Sequence, residues 1–124
     1  MTAKTTLAAA IAAYGLCALS TASADLSDYT IEQLLEPCIE GDNDARWGAA
    51  AEAECEQYIS GFTDAYVLLT DNGKADNVCL PPDGNRADEI RWAFMRWAHE
   101  NYGQREQPAA EGLMAVIKSK FVCQ

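Results

Sequence analysis

Apolar residues in this chain recur at helical spacing and rarely alternate. The longest case runs from about Gly48 to Asp71, where Cys55, Tyr58, Ile59, Phe62, Tyr66 and Leu69 form one stripe at three- and four-residue steps. Gly61 interrupts it at a cost of about 1 kcal/mol relative to alanine, which marks either a close approach by another helix or a weak point. Asp71-Asn72-Gly73 stops the helix, with Gly73 suited to a left-handed cap. Upstream, Thr30 to Cys38 puts Ile31, Leu34, Leu35 and Cys38 on one face, and Thr30 with Gln33 has the T-x-x-Q form of a capping box. Pro37 ends this helix or distorts its last turn, and the polar run Glu40 to Arg46 reads as a loop. Downstream, "CLPPDGN" is extended, and Asn85 is placed to cap a third helix over Arg86 to Asn101. That helix carries Ile90, Phe94, Trp97 and Asn101 on one side, with Ala93 and Ala98 beside them. Trp92, Met95 and His99 lie partly around the cylinder, and Tyr102-Gly103 ends it. A fourth helix, Ala109 to Phe121, presents Leu113, Val116, Ile117 and Phe121 together. No stretch reads as a strand. The predicted architecture is all-α, a small bundle of about four helices.

The chain ahead of these helices sets the compartment. Lys4 is the only charge before Asp25, and an apolar run extends from Leu7 to Leu19. It is too short to span a bilayer, which needs roughly 20 residues. Ala22-Ser23-Ala24 then supplies the small-x-small pattern of a signal peptidase site. We expect a cleaved secretory signal over residues 1–24 and a mature domain over 25–124. Leu16 and Tyr14 do not fit a lipobox around Cys17.

Cleavage removes Cys17, so five cysteines become four: Cys38, Cys55, Cys79 and Cys123. An even number in a short exported chain points to two disulfides, and the absence of any C-x-x-C leaves a zinc site or redox pair without support. Three pairings exist and sequence alone does not choose among them, but the helix plan favours one. With helices two, three and four running up, down and up, Cys79 and Cys123 fall at one end of the bundle, leaving Cys38 to meet Cys55. The Cys55–Cys79 alternative is strained. Helix two climbs about 24 Å from Cys55 to Asp71, and the residues back to Cys79 return at most roughly 27 Å when fully stretched.

Charge narrows the partners. Without Lys4, eight Lys and Arg stand against nineteen Asp and Glu, a net charge of −11. That repels nucleic acid and anionic membrane surfaces and favours a basic partner. No catalytic, cofactor-binding or metal-binding set emerges. Asp42-Asn43-Asp44 begins like a calcium loop, but Trp47-Gly48 puts the glycine out of register and no spaced glutamate follows. Glu52, Glu54 and Glu56 read as a solvated helix face. His99, the sole histidine, reads as a surface or boundary residue. Tyr58, Phe62, Tyr66, Phe94, Trp97 and Phe121 are first needed for the core, whereas Trp47 and Trp92 suit an exposed interaction surface.

The order C-x-x-Y-I-x-G-x-x-D (Cys55, Tyr58, Ile59, Gly61, Asp64), then C-L-P (Cys79 to Pro81), a helix, and a closing F-x-C (Phe121, Cys123) resembles the Rap/Tai family. These are periplasmic immunity proteins of type VI secretion amidase effectors. Two places depart from the family pattern: Asn101-Tyr102-Gly103 replaces a proline-containing turn, and Val122 replaces the proline of F-P-C. The resemblance implies a small helical, disulfide-bonded protein, not an enzyme and without cofactor. Such a protein blocks a peptidoglycan amidase in the periplasm, often as a homodimer, and has no membrane attachment after signal cleavage. Exposure and composition suggest as contacts the loop Asp71 to Asn77 (Asp71, Asn72, Lys74, Asp76, Asn77), the segment Glu40 to Arg46, and Trp47 as an anchor. A rival is an HdeA-like periplasmic acid-stress chaperone, which the start "CEQYI" resembles, or another non-enzymatic periplasmic binding protein. Protonation of nineteen carboxylates could loosen such a bundle at low pH.

Overall fold

The chain enters its first helix through a reciprocal cap. The Gln33 N–H donates to Thr30 Oγ1 at 3.2 Å, and the Thr30 N–H donates to Gln33 Oε1 at 2.8 Å, which satisfies two amides that a helix start leaves open. The computed structural model describes residues 24–43, 46–71 and 77–124. Four helices make up the fold: α1 (Ile31–Asn43), α2 (Gly48–Leu69), α3 (Arg86–Glu100) and α4 (Ala109–Lys120). Short 3-10 turns occupy Asp83–Asn85 and Tyr102–Gln104. Among the described residues there is no β-strand, only isolated antiparallel bridges pairing Thr30 with Pro108 and Val78 with Val122. The signal-peptide expectation falls on residues that, apart from Ala24, lie outside the described ones.

Helix α1 corrects the expectation at Pro37. It continues to Asn43, so the predicted loop from Glu40 is helical that far. A proline inside a helix removes one amide donor and leaves the carbonyl four residues earlier without its partner. Here that carbonyl belongs to Gln33, and the Tyr29 hydroxyl donates to it at 3.1 Å. The helix therefore survives the proline.

The core forms where the predicted faces meet. Leu34, Ile59, Ile90, Phe94, Leu113 and Val116 are all fully buried. On α2, Cys55, Ile59 and Tyr66 are buried as expected, and Thr63 joins them, its hydroxyl donating to the Ser60 carbonyl at 3.1 Å. Leu69 does not belong to this face: it is 82% exposed, because the packed part of the bundle ends a turn earlier. Gly61 is open as well, and a Cβ there would meet nothing within 4 Å. Close approaches lie elsewhere, at Gly112 of α4, where a Cβ would sit 2.7 Å from Ile31 Cγ1, and at the crossing of α1 and α2. A Cβ on Gly48 would sit 2.9 Å from the Gly41 carbonyl oxygen, and one on Gly41 would sit 2.8 Å from Arg91 Nη2. Asn85 precedes α3 but makes no capping bond, its side-chain amide donating instead to Glu89 Oε1 at 2.9 Å.

Beneath that crossing lies Arg91, a buried arginine on α3. Its Nε and Nη2 donate to the Cys38 carbonyl at 3.3 and 2.9 Å, and Nη2 also donates to Asp42 Oδ1 at 2.9 Å. Nη1 reaches Glu52 Oε1 at 3.4 Å, with Asp88 and Glu56 at 3.9 and 4.0 Å. One guanidinium thus joins the end of α1, the start of α2 and the middle of α3. Glu52 and Glu56 are its partners rather than a freely solvated face. Burial pushes the Glu56 carboxyl above the usual glutamate range, and Glu52 adds to the rise while Arg91 opposes it.

Both disulfides pair as the helix plan predicts. Cys38–Cys55 spans 5.0 Å between Cα atoms within the core, and Cys79–Cys123 spans 4.9 Å at the chain's end. The second bridge is framed by backbone bonds from the Cys79 N–H to the Phe121 carbonyl and from the Cys123 N–H to the Asn77 carbonyl, at 2.7 and 2.9 Å. At the other end of α4, the Ile31 and Glu32 amides donate to the Gln107 and Arg105 carbonyls at 2.9 and 3.0 Å. Arg105 fastens the same corner, with Nε to the Ala98 carbonyl and Nη1 to Glu32 Oε2, both at 3.1 Å.

Cys79 is exposed whereas Cys38 and Cys55 are sealed, so a mild reductant should open Cys79–Cys123 first. Timed alkylation and peptide mapping would show label on that pair ahead of the other; simultaneous labelling would contradict the burial argument. Arg91→Ala should cost about 3 kcal/mol in urea unfolding, since it strands the carboxylates and leaves a cavity. A loss under about 0.5 kcal/mol, the range of ordinary surface changes, would show the cluster to be inert. For Glu56, a folded-state pKa above the ordinary 4.5 means stability present below that value and lost as pH rises through the folded pKa. Glu56→Gln should therefore raise the urea midpoint at pH 7, and the gain should vanish in acid. A gain that persists at pH 3 would sink this assignment.

Candidate partner-binding surface

Four carboxylates, Asp42, Glu52, Glu56 and Asp88, surround Arg91 while each keeps a substantial part of its side chain in solvent. One positive charge cannot balance four negative ones, so the surface above the crossing stays acidic. Sequence reading passed over Arg91, assigning it to neither the apolar side of α3 nor a candidate surface. A signal was nevertheless present. Asp42 is one helical turn past Cys38, and Glu52 and Glu56 flank Cys55. Once Cys38 and Cys55 are joined, those carboxylates must converge and require a cation.

The predicted contact residues divide between two ends of the molecule. Trp47 stands just ahead of α2, 62% exposed, its carbonyl accepting from the Ala50 and Ala51 amides at 3.1 and 3.0 Å. Asp71 follows the other end of α2, exposed and with φ 50°. A helix of 22 residues separates them, a rise of about 33 Å. Trp47 and the Asp71–Asn77 loop are therefore not one cluster. Asn72, Lys74 and Asp76 lie outside the described residues, as does Gly73, the expected left-handed cap. Asp71 and Asn77, with φ 50° and 59°, take left-handed conformations themselves. That backbone region is easiest for glycine and open to Asp and Asn through their short polar side chains. The loop leaves from a fixed point, where the Thr70 N–H donates to the Tyr66 carbonyl at 3.0 Å and the Thr70 hydroxyl donates to the same oxygen. It returns to one at Asn77 and the Cys79 disulfide.

Beside this loop, Leu68 and Leu69 are 83% and 82% exposed. They adjoin a shallow apolar groove lined by Phe62, Tyr66, Leu69 and Met114. Sequence reading placed Leu69 in the core and so overlooked an apolar surface next to its own candidate loop. Exposed leucines at the end of α2, followed in sequence by Asp71 and a polar run, supply the apolar and polar elements of which protein interfaces are built. His99 and Trp92 are exposed, as expected of them.

Among the described residues no group of three or more His, Cys, Asp and Glu is placed to hold a metal ion, and no helix is long and apolar enough to cross a membrane. Neither a curated protein nor a solved structure matches the chain. A family model does, that of the Rap1a immunity proteins, over residues 30–123. Proteins of this kind are generally not enzymes and act by binding a partner effector. The match begins at the capping-box threonine and ends at the last cysteine, so it takes in all four helices and both disulfides. The chain belongs to the family of Rap1a immunity proteins.

Proposed function

We propose that this protein is a periplasmic immunity protein that binds and blocks a peptidoglycan amidase delivered by type VI secretion. The observation that carries this is the family match across the whole helical domain. Export by a signal over residues 1–24, cleaved to leave 25–124, accords with the disulfides, since such bonds persist in oxidising compartments. The homodimer and the amidase target enter through the resemblance to the Rap/Tai family.

Inhibition of this kind needs a surface held in shape before the partner arrives, because ordering it on contact would subtract from affinity. The bridges and the Arg91 cluster supply that rigidity. The acidic surface would speed encounter with a basic effector by steering. For the contact we assign the end of the bundle that carries Asp71, Asn72, Lys74, Asp76 and Asn77, with Leu68 and Leu69 as its apolar part. Trp47, at the far end of α2, would be a separate anchor.

The oxidised mature domain, mixed with the amidase encoded beside it, should stop peptidoglycan cleavage at one inhibitor chain per enzyme, and reduction of both disulfides should abolish the effect. Full cleavage with no complex at micromolar concentration would reject the proposal. Suppression of protein aggregation near pH 2–3 in its place would favour the acid-stress chaperone. Charge reversal at Asp71 and Asp76 should weaken binding and flatten its salt dependence, and unchanged affinity would remove that loop from the contact.

A further inference from the structure

A second apolar surface lies between α1 and α3, away from the loop. Leu35, buried, forms its floor, and Ile39, Trp92 and Met95 form its sides. Ile39 and Trp92 are 41% and 44% exposed, so two large apolar side chains of neighbouring helices face solvent across one groove. Its volume, about 320 Å³, is near the low end of the roughly 300–1,000 Å³ typical of ligand pockets. That suits one or two side chains of a partner better than an independent small molecule.

The rim carries basic side chains in a chain that is acidic overall. Arg96 and His99, one turn apart on α3, border the groove, with Glu100 as the opposing charge and Arg105 at its edge. Arg105 is already committed to Glu32 and the Ala98 carbonyl, and Tyr102 lies over its guanidinium at 4.6 Å. Arg96 is different. It is exposed and makes no ion pair or hydrogen bond with any described residue. The whole chain has nineteen carboxylates for nine Lys and Arg, yet Arg96 pairs with none of the described ones, Glu100 one turn away included. An open guanidinium beside an apolar groove complements a carboxylate beside an apolar side chain.

We infer that the α1–α3 groove is a docking seat for a segment of the effector that presents a large apolar side chain next to an Asp or Glu. The apolar side chain enters between Ile39 and Trp92, and the carboxylate pairs with Arg96. This rests on the proposed immunity role and adds to it a second contact, distinct from the Leu68–Leu69 end. The groove is preformed because α1 and α3 are fixed to each other by Arg91 at one end and Arg105 at the other.

The test compares Trp92→Ala, Arg96→Glu and Arg96→Lys with wild type, using the neighbouring amidase as probe in binding and inhibition assays. Circular dichroism and sedimentation run alongside to check fold and self-association. Wild type should bind. Trp92→Ala and Arg96→Glu should each weaken binding by about tenfold or more, the scale of a buried anchor or a paired charge at an interface. Arg96→Lys should recover most of the loss. Wild-type binding with all three variants within twofold would overturn the groove assignment and leave the immunity role intact. Variants that change self-association without changing effector binding would give the groove to a second copy of this chain and overturn the inference. Absence of wild-type binding would overturn the immunity role and the groove together.

Discussion

One buried guanidinium sets the geometry of this protein. Arg91 takes the Cys38 carbonyl, Asp42 and Glu52 as partners, so three helices share a single point of reference. A charge that deep is tolerated only when its donors are satisfied, and unpairing it would be costly. Covalent and steric terms act at the same place. Cys38 and Cys55 bond within the crossing, which in the chain-entropy model contributes about 3 kcal/mol for a loop of this length. Gly41 and Gly48 let the backbones come close enough for the bond and the arginine to coexist. Removing any one of the three would loosen the others, because each presupposes the spacing that the other two maintain.

That arrangement also explains which parts of the structure could be read from the sequence. Helices with a plain apolar face, such as the one carrying Leu113, Val116 and Ile117, declare themselves through spacing alone. The capping box at Thr30 and Gln33 is local, and so was legible. The disulfide pairing followed from helix direction and chain reach. What could not be read depends on partners remote in sequence. Arg91 was assigned to no face of α3, because its nearest carboxylates, Asp42 and Glu52, come from other helices. Pro37 is different: the Tyr29 hydroxyl that donates to the Gln33 carbonyl is only four residues away, but apolar spacing does not mark it as that carbonyl's partner. Leu69 fitted the stripe of α2 perfectly well, but periodicity says nothing about where the neighbouring helices stop.

In the proposed immunity role this scaffold acts through a surface that is already shaped. A helical domain fixed by two disulfides and a central ion cluster can hold side chains in place before any partner arrives, so less free energy is lost to ordering on association. The surfaces suited to that task are the ones the core does not use. Leu68 and Leu69 stand beyond the packed end of α2, and the groove between α1 and α3 lies outside the helix faces that meet inside. In that role the strong negative charge would act mainly on encounter rate and solubility, with short-range fit supplying the affinity.

Native-state hydrogen exchange would show whether the crossing of α1, α2 and α3 is a single rigid unit. The amides of Asp42 and Asn43 in α1, Ala51 to Cys55 in α2 and Ile90 to Phe94 in α3 should open only with global unfolding. They should share one free energy and one denaturant slope. Exchange of the α1 amides through a smaller, denaturant-independent opening, while α3 stays protected, would show that Arg91 decorates the crossing instead of holding it.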